Sequence, residues 1–323
     1  MYTKARLGGI AMKILILGAG ALGSLMADEF LRAGHEVTLL ARGGRYQELK
    51  AHGLVVRHYL QFYTSRTRPA VVDTPSEGTV YDAAFCVLQY TQLHDALETL
   101  AKAKAGLYVL VGNNPAPEET RGRFRECGGQ AQNLLFAFLG AGGRRENARA
   151  VSIHRRSVSL TAGALSGADA QKEALQNLLS GTNIQLYWET DISAWLIYHL
   201  AIVVPVARGI YAKGGNLHAL AGDKAMLRTL ILAVREAIEA LKRMGVRHEA
   251  TERALETPDQ KLMRVLGILL HTPLGRLMAG DHAMSAKGEM AALGTALDAR
   301  LGGAPEGTPL ESYLSLKRFQ PEA

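Results

Sequence analysis

Three glycines near the start of the chain have the spacing of a dinucleotide-binding turn. Gly18, Gly20 and Gly23 fit the pattern G-x-G-x-x-G. In such a turn the first glycine permits a tight bend, the second lets the backbone approach a pyrophosphate, and the third lets a helix pack closely on a strand. The N–H groups at the start of that helix, from Ala21 and Leu22 onward, then face the phosphates at the positive end of the helix dipole. The alternative is an ordinary turn between a strand and a helix.

The segments on either side of the glycines favour the dinucleotide interpretation. Lys13–Leu17 is a short run rich in branched apolar residues, typical of a strand buried on both faces. After the glycines, Leu25, Met26 and Phe30 recur at helical spacing, and Gly34 is placed to end the helix. A strand, a glycine turn and a helix in direct succession predict that this part of the chain binds a dinucleotide.

Two arginines follow the second predicted strand. Glu36–Ala41 has the strand pattern, and its end lies about 20 residues beyond the glycines, where the ribose of a dinucleotide is recognised. NAD enzymes place a carboxylate there, whereas this chain has Arg42 and, close behind it, Arg45. Because a guanidinium binds a 2′-phosphate through charge-assisted hydrogen bonds, the sequence predicts NADP rather than NAD. The alternative is a surface arginine in a loop.

Strand and helix patterns alternate along the first part of the chain and give way to helices in the second. The alternation predicts an α/β Rossmann-type doubly wound parallel sheet over residues 1–189, of which 1–11 form an extension. Residues 190–323 are predicted to form an all-helical domain, in which Asp259–Met278 is expected to be one helix. The glycine-rich and basic segment Gly140–Arg149 is expected to be a loop.

The composition is that of an ordinary globular protein. Of 323 residues, 48% are hydrophobic and 21% are charged. The net charge is +7, but the basic residues are scattered, so we expect no nucleic-acid binding. The longest apolar stretch, Ala194–Ala207, carries His199 and Pro205 and is interpreted as a core helix, so no membrane span is expected. Cys86 and Cys127 lack metal-ligand spacing, which predicts a cytoplasmic protein with neither a disulfide nor a metal site.

The glycine motif and several later segments together resemble the ketopantoate reductase (2-dehydropantoate 2-reductase) family. The resemblance implies a Rossmann domain followed by a helical domain, and reduction of an α-keto acid with NADPH in pantothenate biosynthesis. In this family the hydride goes to the ketone while a lysine on a helix supplies the proton. The segments that carry the resemblance are Lys13–Gly23 (KILILGAGALG), Gly34–Val37, Leu40–Gly43, Gly53-Leu54, Val111–Asn114 with Glu118-Glu119, Asp191–Ala201 and Asp281–Met290.

The resemblance assigns two polar residues to the site. Asn113 matches the family asparagine that lies near the nicotinamide and the substrate, and the alternative is a turn residue at a strand end. Glu289 matches the glutamate that contacts the substrate, and the alternative is a solvated glutamate on a helix.

The chain departs from the family pattern where the catalytic lysine is expected. That position is Ile197, which has no proton to donate, and the second family lysine falls on Gln89, which we retain as a candidate for contact with the cofactor. The substrate-binding serine falls on Leu277, and the asparagines expected further along the helix are replaced in Ala201–Pro205. An apolar face thus replaces a cationic one, which favours a bulkier or less charged substrate than ketopantoate.

His199 is the first candidate for an alternative proton donor, because an imidazole titrates near neutral pH. At about 100° per residue, however, it points about 200° away from position 197 on a helix. The alternative is a core histidine bonded to a backbone carbonyl. Weaker candidates, which share only a titratable side chain, are Tyr90, His94, Tyr198, Lys213 and Lys287.

The sequence therefore predicts an NADP-dependent oxidoreductase that reduces a small α-keto acid or related carbonyl compound in a cleft between the two domains. Loss of the lysine also leaves open a non-catalytic NADP-binding sensor that reports cofactor state to a partner. A titratable group near the nicotinamide favours the enzyme, and a cleft filled by apolar side chains favours the sensor. The apolar faces of the helical domain could also serve a homodimer.

Overall fold

The chain divides into two units in the computed structural model, which describes residues 10–76, 78–166 and 169–321. The first unit comprises the residues up to Gly112 together with Ala116–Ile192, and the second comprises Asn113–Pro115 and Ser193–Ala323. Most of the predicted extension, residues 1–9, lies outside the described part of the chain.

The first unit contains a large sheet of eight strands. Its strands are β1 (Lys13–Leu17), β2 (Glu36–Leu40), β5 (Ala70–Val72), β6 (Val80–Val87), β7 (Lys104–Val111), β8 (Leu134–Gly140), β11 (Val158–Ala164) and β12 (Ile184–Trp188). Their order is β12-β11-β8-β7-β6-β1-β2-β5, and all neighbours are parallel except β8 and β11. The central strands are nearly continuous apolar runs because side chains on both faces are buried. The predicted Rossmann-type sheet is confirmed.

The strand order places a ligand-binding position beside β1. The chain leaves β1 toward β2 on one side, and the neighbour on the other side is β6. At such a reversal of strand order, the loops at the carboxyl ends diverge and leave a crevice, which is where ligands bind in open α/β sheets. The glycine turn follows β1 directly, so the sheet positions it at this crevice.

A second, smaller sheet covers the helix that follows the glycine turn. Its strands are β3 (Leu54–His58), β4 (Tyr63–Thr67), β9 (Gly142–Glu146) and β10 (Arg149–Ile153), in the order β4-β3-β10-β9. The expectation of a loop over Gly140–Arg149 was wrong, because β9 pairs antiparallel with β10 as an edge strand. Arginines are tolerated on β9 because an edge strand pairs on one side only, and charged side chains there discourage pairing with another chain.

Helices of the first unit connect these strands. Helix α1 (Ala21–Ala33) packs against the second sheet. The remaining helices are α2 (Gly43–His52), α3 (Tyr90–Lys102), α4 (Pro117–Glu126), a 3₁₀ turn at Ala131–Asn133, and α5 (Asp169–Leu179).

The second unit is built from helices, as predicted. Those described are α6 (Ile192–Ala212), α7 (Leu217–Gly222), α8 (Lys224–Arg243), α9 (Glu249–Leu255), α10 (Asp259–His271), α11 (Pro273–Gly275), a π-helical turn at Arg276–Gly280, α12 (Asp281–Ser285), α13 (Lys287–Leu301), α14 (Glu311–Ser315) and a 3₁₀ turn at Lys317–Phe319. The single helix expected over Asp259–Met278 was wrong. It breaks at Thr272, whose hydroxyl caps a new helix with Pro273 at its first position.

Helix α6 is the longest helix described. Its 21 residues are long and apolar enough to cross a membrane by length and composition, but 67% of its most apolar window is buried inside the protein. Such burial is typical of a core helix. This agrees with the interpretation of Ala194–Ala207 as part of the core.

Candidate functional site

The glycine turn requires glycine at its first and last positions. Gly18 has φ +106°, and a Cβ there would lie 2.2 Å from the Val87 carbonyl oxygen at the end of β6. A Cβ at Gly23 would lie 1.9 Å from the carbonyl oxygen of Gly18. Neither backbone oxygen can move away without breaking the packing of β1, β6 and α1. Only glycine therefore fits at both positions of this tight turn, as the G-x-G-x-x-G pattern predicts.

Gly20 has a different environment from the other two glycines. Among the described residues, nothing lies within 4 Å of a Cβ built at Gly20. This residue is also the N-cap of α1, and no described side chain caps the helix there. The open space beside Gly20 thus adjoins the first turn of α1, where the N–H groups of Ala21, Leu22 and Gly23 lie at the positive end of the helix dipole. This arrangement fits the pyrophosphate of a dinucleotide.

Arg42 lies where the ribose of such a dinucleotide would be recognised. It follows β2 by two residues, is the N-cap of α2 and is exposed. Its Nη2 lies 3.4 Å from the Thr99 hydroxyl on α3, which is a long contact that engages one of its five donors. The guanidinium is available to a 2′-phosphate.

Arg45 lies one turn further along α2 but is buried, with 7% of its surface exposed. Its Nε donates to the carbonyl of Ala19 at 3.1 Å, and its Nη2 donates to the Ser24 hydroxyl at 3.2 Å. Its Nη1 donates to Glu48 and to the Ala148 carbonyl, both at 3.1 Å. These bonds turn the guanidinium inward, so the geometry does not support the expectation that Arg45 holds a 2′-phosphate.

Gln89 and Asn113 follow neighbouring strands of the large sheet. Gln89 is the half-buried N-cap of α3, two residues after β6. Asn113 follows β7 by two residues and is 7% exposed. Its Oδ1 is buried and has no hydrogen-bond partner among the residues that the structure describes. A buried acceptor of this kind is costly unless a ligand supplies a donor, such as a carboxamide N–H or a hydroxyl.

The remaining predicted site residues belong to the helices of the second unit. Ile197 is buried in α6, with 6% of its surface exposed. His199 is half-buried on the same helix, and its ring stacks on Trp195 with a centroid distance of 5.1 Å and an interplanar angle of 7°. Glu289 lies in the first turn of α13 and is 3% exposed, which does not fit the alternative of a solvated helix glutamate.

Two of the weaker candidates for a proton donor form hydrogen bonds or ion pairs with other residues of the second unit. The Tyr198 hydroxyl lies 3.0 Å from the Val246 carbonyl and 2.9 Å from Glu252, and burial raises the pKa of Tyr198. Lys213 forms an ion pair with Asp223 at 2.7 Å. Both groups hold helices together, which leaves them poorly suited to donate a proton to a substrate.

The sequence reasoning missed Ser24, which connects α1 to the glycine turn. Its hydroxyl lies 3.4 Å from the Ala19 carbonyl and accepts the bond from Arg45. A serine between the apolar residues Leu22 and Leu25 of the predicted helix was the available signal, since a hydroxyl that becomes buried needs a partner.

A family model described as ketopantoate reductase PanE/ApbA matches residues 14–167. A comparison with curated proteins gave no match.

Several solved structures share the fold over nearly the whole chain. A 2-dehydropantoate 2-reductase from Geobacter metallireducens GS-15 is similar, with a TM-score of 0.74, 13% identity, and coverage of 96% of this chain and 99% of that one. D-mandelate dehydrogenase in complex with NADH and anilino(oxo)acetate has a TM-score of 0.72, 16% identity and coverage of 95% and 97%. A dimeric ketopantoate reductase from Staphylococcus aureus has a TM-score of 0.65, 13% identity and coverage of 96% and 99%. At these identities the likeness concerns the fold.

Proposed function

Because the chain belongs to the ketopantoate reductase family, which its residues 14–167 match, we propose that it is an NADP-dependent oxidoreductase that reduces a small α-keto acid or a related carbonyl compound. The observation that carries the proposal is the glycine turn. Gly20 opens onto free space at the uncapped start of α1, at the carboxyl end of β1. Backbone N–H groups at this position bind phosphates without any side chain.

The preference for NADP rests on Arg42. Its exposed guanidinium stands at the end of β2, where an NAD-specific site would place a carboxylate. A planar guanidinium can form two parallel hydrogen bonds to a 2′-phosphate, and its charge opposes that of the phosphate.

On the substrate side, Asn113 and Glu289 are the polar residues that we assign to the reaction. When bound, the reduced cofactor supplies a hydride to the carbonyl carbon. The buried amide of Asn113 would orient the nicotinamide or the substrate by a hydrogen bond. The alkoxide that forms needs a proton, for which we assign His199, since an imidazole can donate near neutral pH.

The apolar residue at position 197 favours a substrate with an apolar group. Ile197 is buried where a cationic side chain would be expected from the family resemblance. The similar D-mandelate dehydrogenase was solved with anilino(oxo)acetate, an oxo acid that carries an aromatic group. We therefore propose α-keto acids with bulky apolar substituents as the first substrates to test.

A second candidate function is a non-catalytic NADP-binding sensor. Ile197 favours it, because isoleucine cannot donate a proton, whereas the glycine turn that would bind the dinucleotide is retained. In this case the protein would bind NADPH tightly without turning over any carbonyl substrate.

We also expect the protein to form a homodimer. Val265 and Ile268 on α10 are 57% and 58% exposed, although both are large and apolar. The similar ketopantoate reductase from Staphylococcus aureus is dimeric. Light scattering coupled to size-exclusion chromatography would give the molecular mass in solution.

The experiment that tests the function is a titration of NADPH and NADH followed by an activity assay. We expect NADPH to bind more tightly than NADH, and NADPH to be oxidised with at least one member of a panel of α-keto acids that includes ketopantoate. Tight binding without turnover of any substrate would support the sensor. Failure to bind either dinucleotide would contradict both functions.

A further inference from the structure

The carbonyl of Ala19, between the first two glycines of the turn, is held by two side chains. Arg45 donates to it from Nε at 3.1 Å, and the Ser24 hydroxyl lies 3.4 Å away. Arg45 also donates to Ser24 at 3.2 Å, which closes a three-membered network. All three residues are buried, so water does not compete for these bonds.

Fixing this carbonyl fixes the direction of the next N–H group. The peptide bond between Ala19 and Gly20 is planar and trans, so its C=O and N–H point in opposite directions. Because Arg45 and Ser24 hold the carbonyl on the inner side, the N–H of Gly20 points to the other side of the turn. A charged donor on the carbonyl also polarises the peptide group and makes that N–H a stronger donor.

Arg45 is itself anchored on its far side. Its Nη1 donates to Glu48 on its own helix and to the carbonyl of Ala148, in the turn between β9 and β10. Arg145 forms a second ion pair with Glu48 at 3.3 Å, from a side chain that is 40% exposed. The guanidinium therefore connects the glycine turn to α2 and to the second sheet.

We propose that Arg45 is a positioning residue that holds the glycine turn in its phosphate-binding conformation and does not contact the 2′-phosphate. The proposal rests on the proposed dinucleotide-binding function. It predicts that Arg45 contributes equally to the affinities for NADPH and NADH, because both carry the pyrophosphate that this turn binds. Arg42, by contrast, should contribute to NADPH alone.

The test is a titration of both dinucleotides with Arg45→Lys, Arg42→Gln and the unmodified protein, followed by nicotinamide fluorescence. Lysine keeps the charge but loses the planar fork, so it cannot reach Ala19, Ser24 and Ala148 together. We expect Arg45→Lys to weaken NADPH and NADH by the same factor, about tenfold. We expect Arg42→Gln to weaken NADPH by a similar factor and to leave NADH unchanged.

Two further variants distinguish a specific effect on dinucleotide binding from a general loss of structure. Ser24→Ala removes the smaller member of the network and is expected to weaken both dinucleotides by about threefold. Arg145→Gln removes the exposed partner of Glu48 and is expected to change neither affinity. Thermal unfolding of each variant shows that the titrated protein is folded.

The titrations distinguish a failure of the positioning role of Arg45 from a failure of the proposed dinucleotide binding. If Arg45→Lys weakens NADPH more than NADH, Arg45 contacts the 2′-phosphate and the proposal is wrong. If Arg45→Lys changes neither affinity, the network is only structural and the proposal is also wrong. If the unmodified protein binds neither dinucleotide, the proposed function fails before the variants are compared.

Discussion

His58 Nε2 lies 3.2 Å from Asp28 Oδ2, and both side chains are completely buried where α1 packs against the second sheet. The other ring nitrogen of His58 lies 3.3 Å from His154 Nε2, and His154 Nδ1 lies 2.7 Å from the Arg155 carbonyl. A carbonyl only accepts, so His154 Nδ1 carries a proton. A carboxylate also only accepts, so His58 Nε2 donates to Asp28, and this buried hydrogen bond joins α1 to the second sheet.

Asp28→Asn tests this hydrogen bond. The neutral amide is a weaker acceptor than the buried carboxylate, so we expect the free energy of unfolding to fall by about 2 kcal/mol. Urea denaturation would measure the change. In the His58→Gln background the same substitution should cost much less, because the imidazole N–H that donates to Asp28 is already gone. Equal costs in the two backgrounds would contradict the hydrogen bond.

The stability of the first unit should fall in mild acid because of His154. Burial lowers the pKa of His154 from its ordinary value of 6.5, so the folded state binds a proton less readily than the unfolded chain. Its contribution to stability is complete above about pH 6.5 and is lost as the pH falls below that value. Burial lowers the pKa of His35 in the same way, whereas burial raises the pKa of Glu29, which acts in the opposite direction.

The difference between two proteins isolates the contribution of His154. The measurement is the urea midpoint of the unmodified protein and of His154→Gln at about pH 7.5 and pH 5.5, a range that spans the ordinary histidine pKa. The variant should lose less stability over this range than the unmodified protein does. An identical loss would assign the acid sensitivity to other groups.

The glycine turn offers a matched pair of substitutions. Gly20 has φ −71° and open space around the position of a Cβ, so alanine fits there without strain. We expect Gly20→Ala to leave the melting temperature unchanged but to weaken NADPH binding by tenfold or more, roughly the effect of losing a close backbone–phosphate approach. Gly23→Ala should instead destabilise the protein, because its Cβ would lie 1.9 Å from the Gly18 carbonyl oxygen. Normal NADPH affinity in Gly20→Ala would contradict the proposed phosphate position.

The elements that define the site were predictable from local pattern. β1 and β2 are consecutive apolar strands, and the glycines between them permit the tight turn, in which Gly18 has a φ of +106° that other residues rarely adopt. Short-range information is sufficient for such a unit, because its strand, turn and helix are contiguous in the chain. The same holds for α6, whose apolar composition continues over several turns.

The parts that were not predictable depend on partners far away in the chain. β9 is basic and rich in glycine, and it is a strand only because β10 supplies a pairing edge. The direction in which Arg45 points depends on Ala148, which lies 103 residues away. The pairing of Asp28 with His58 likewise arises from packing between α1 and the second sheet. No local pattern carries this information.

Ile197→Lys tests whether position 197 corresponds to the catalytic lysine of the family. The site is buried, so a lysine there loses hydration and its pKa falls toward neutrality, which makes it a better proton donor. We expect the variant to reduce ketopantoate faster than the unmodified protein, with an unchanged NADPH affinity and a lower melting temperature. Ile197→Met is the matched control, since methionine has a comparable length but no titratable proton and should give no gain. Unchanged turnover in the lysine variant, with NADPH still bound, would show that the chemistry of this protein does not use position 197.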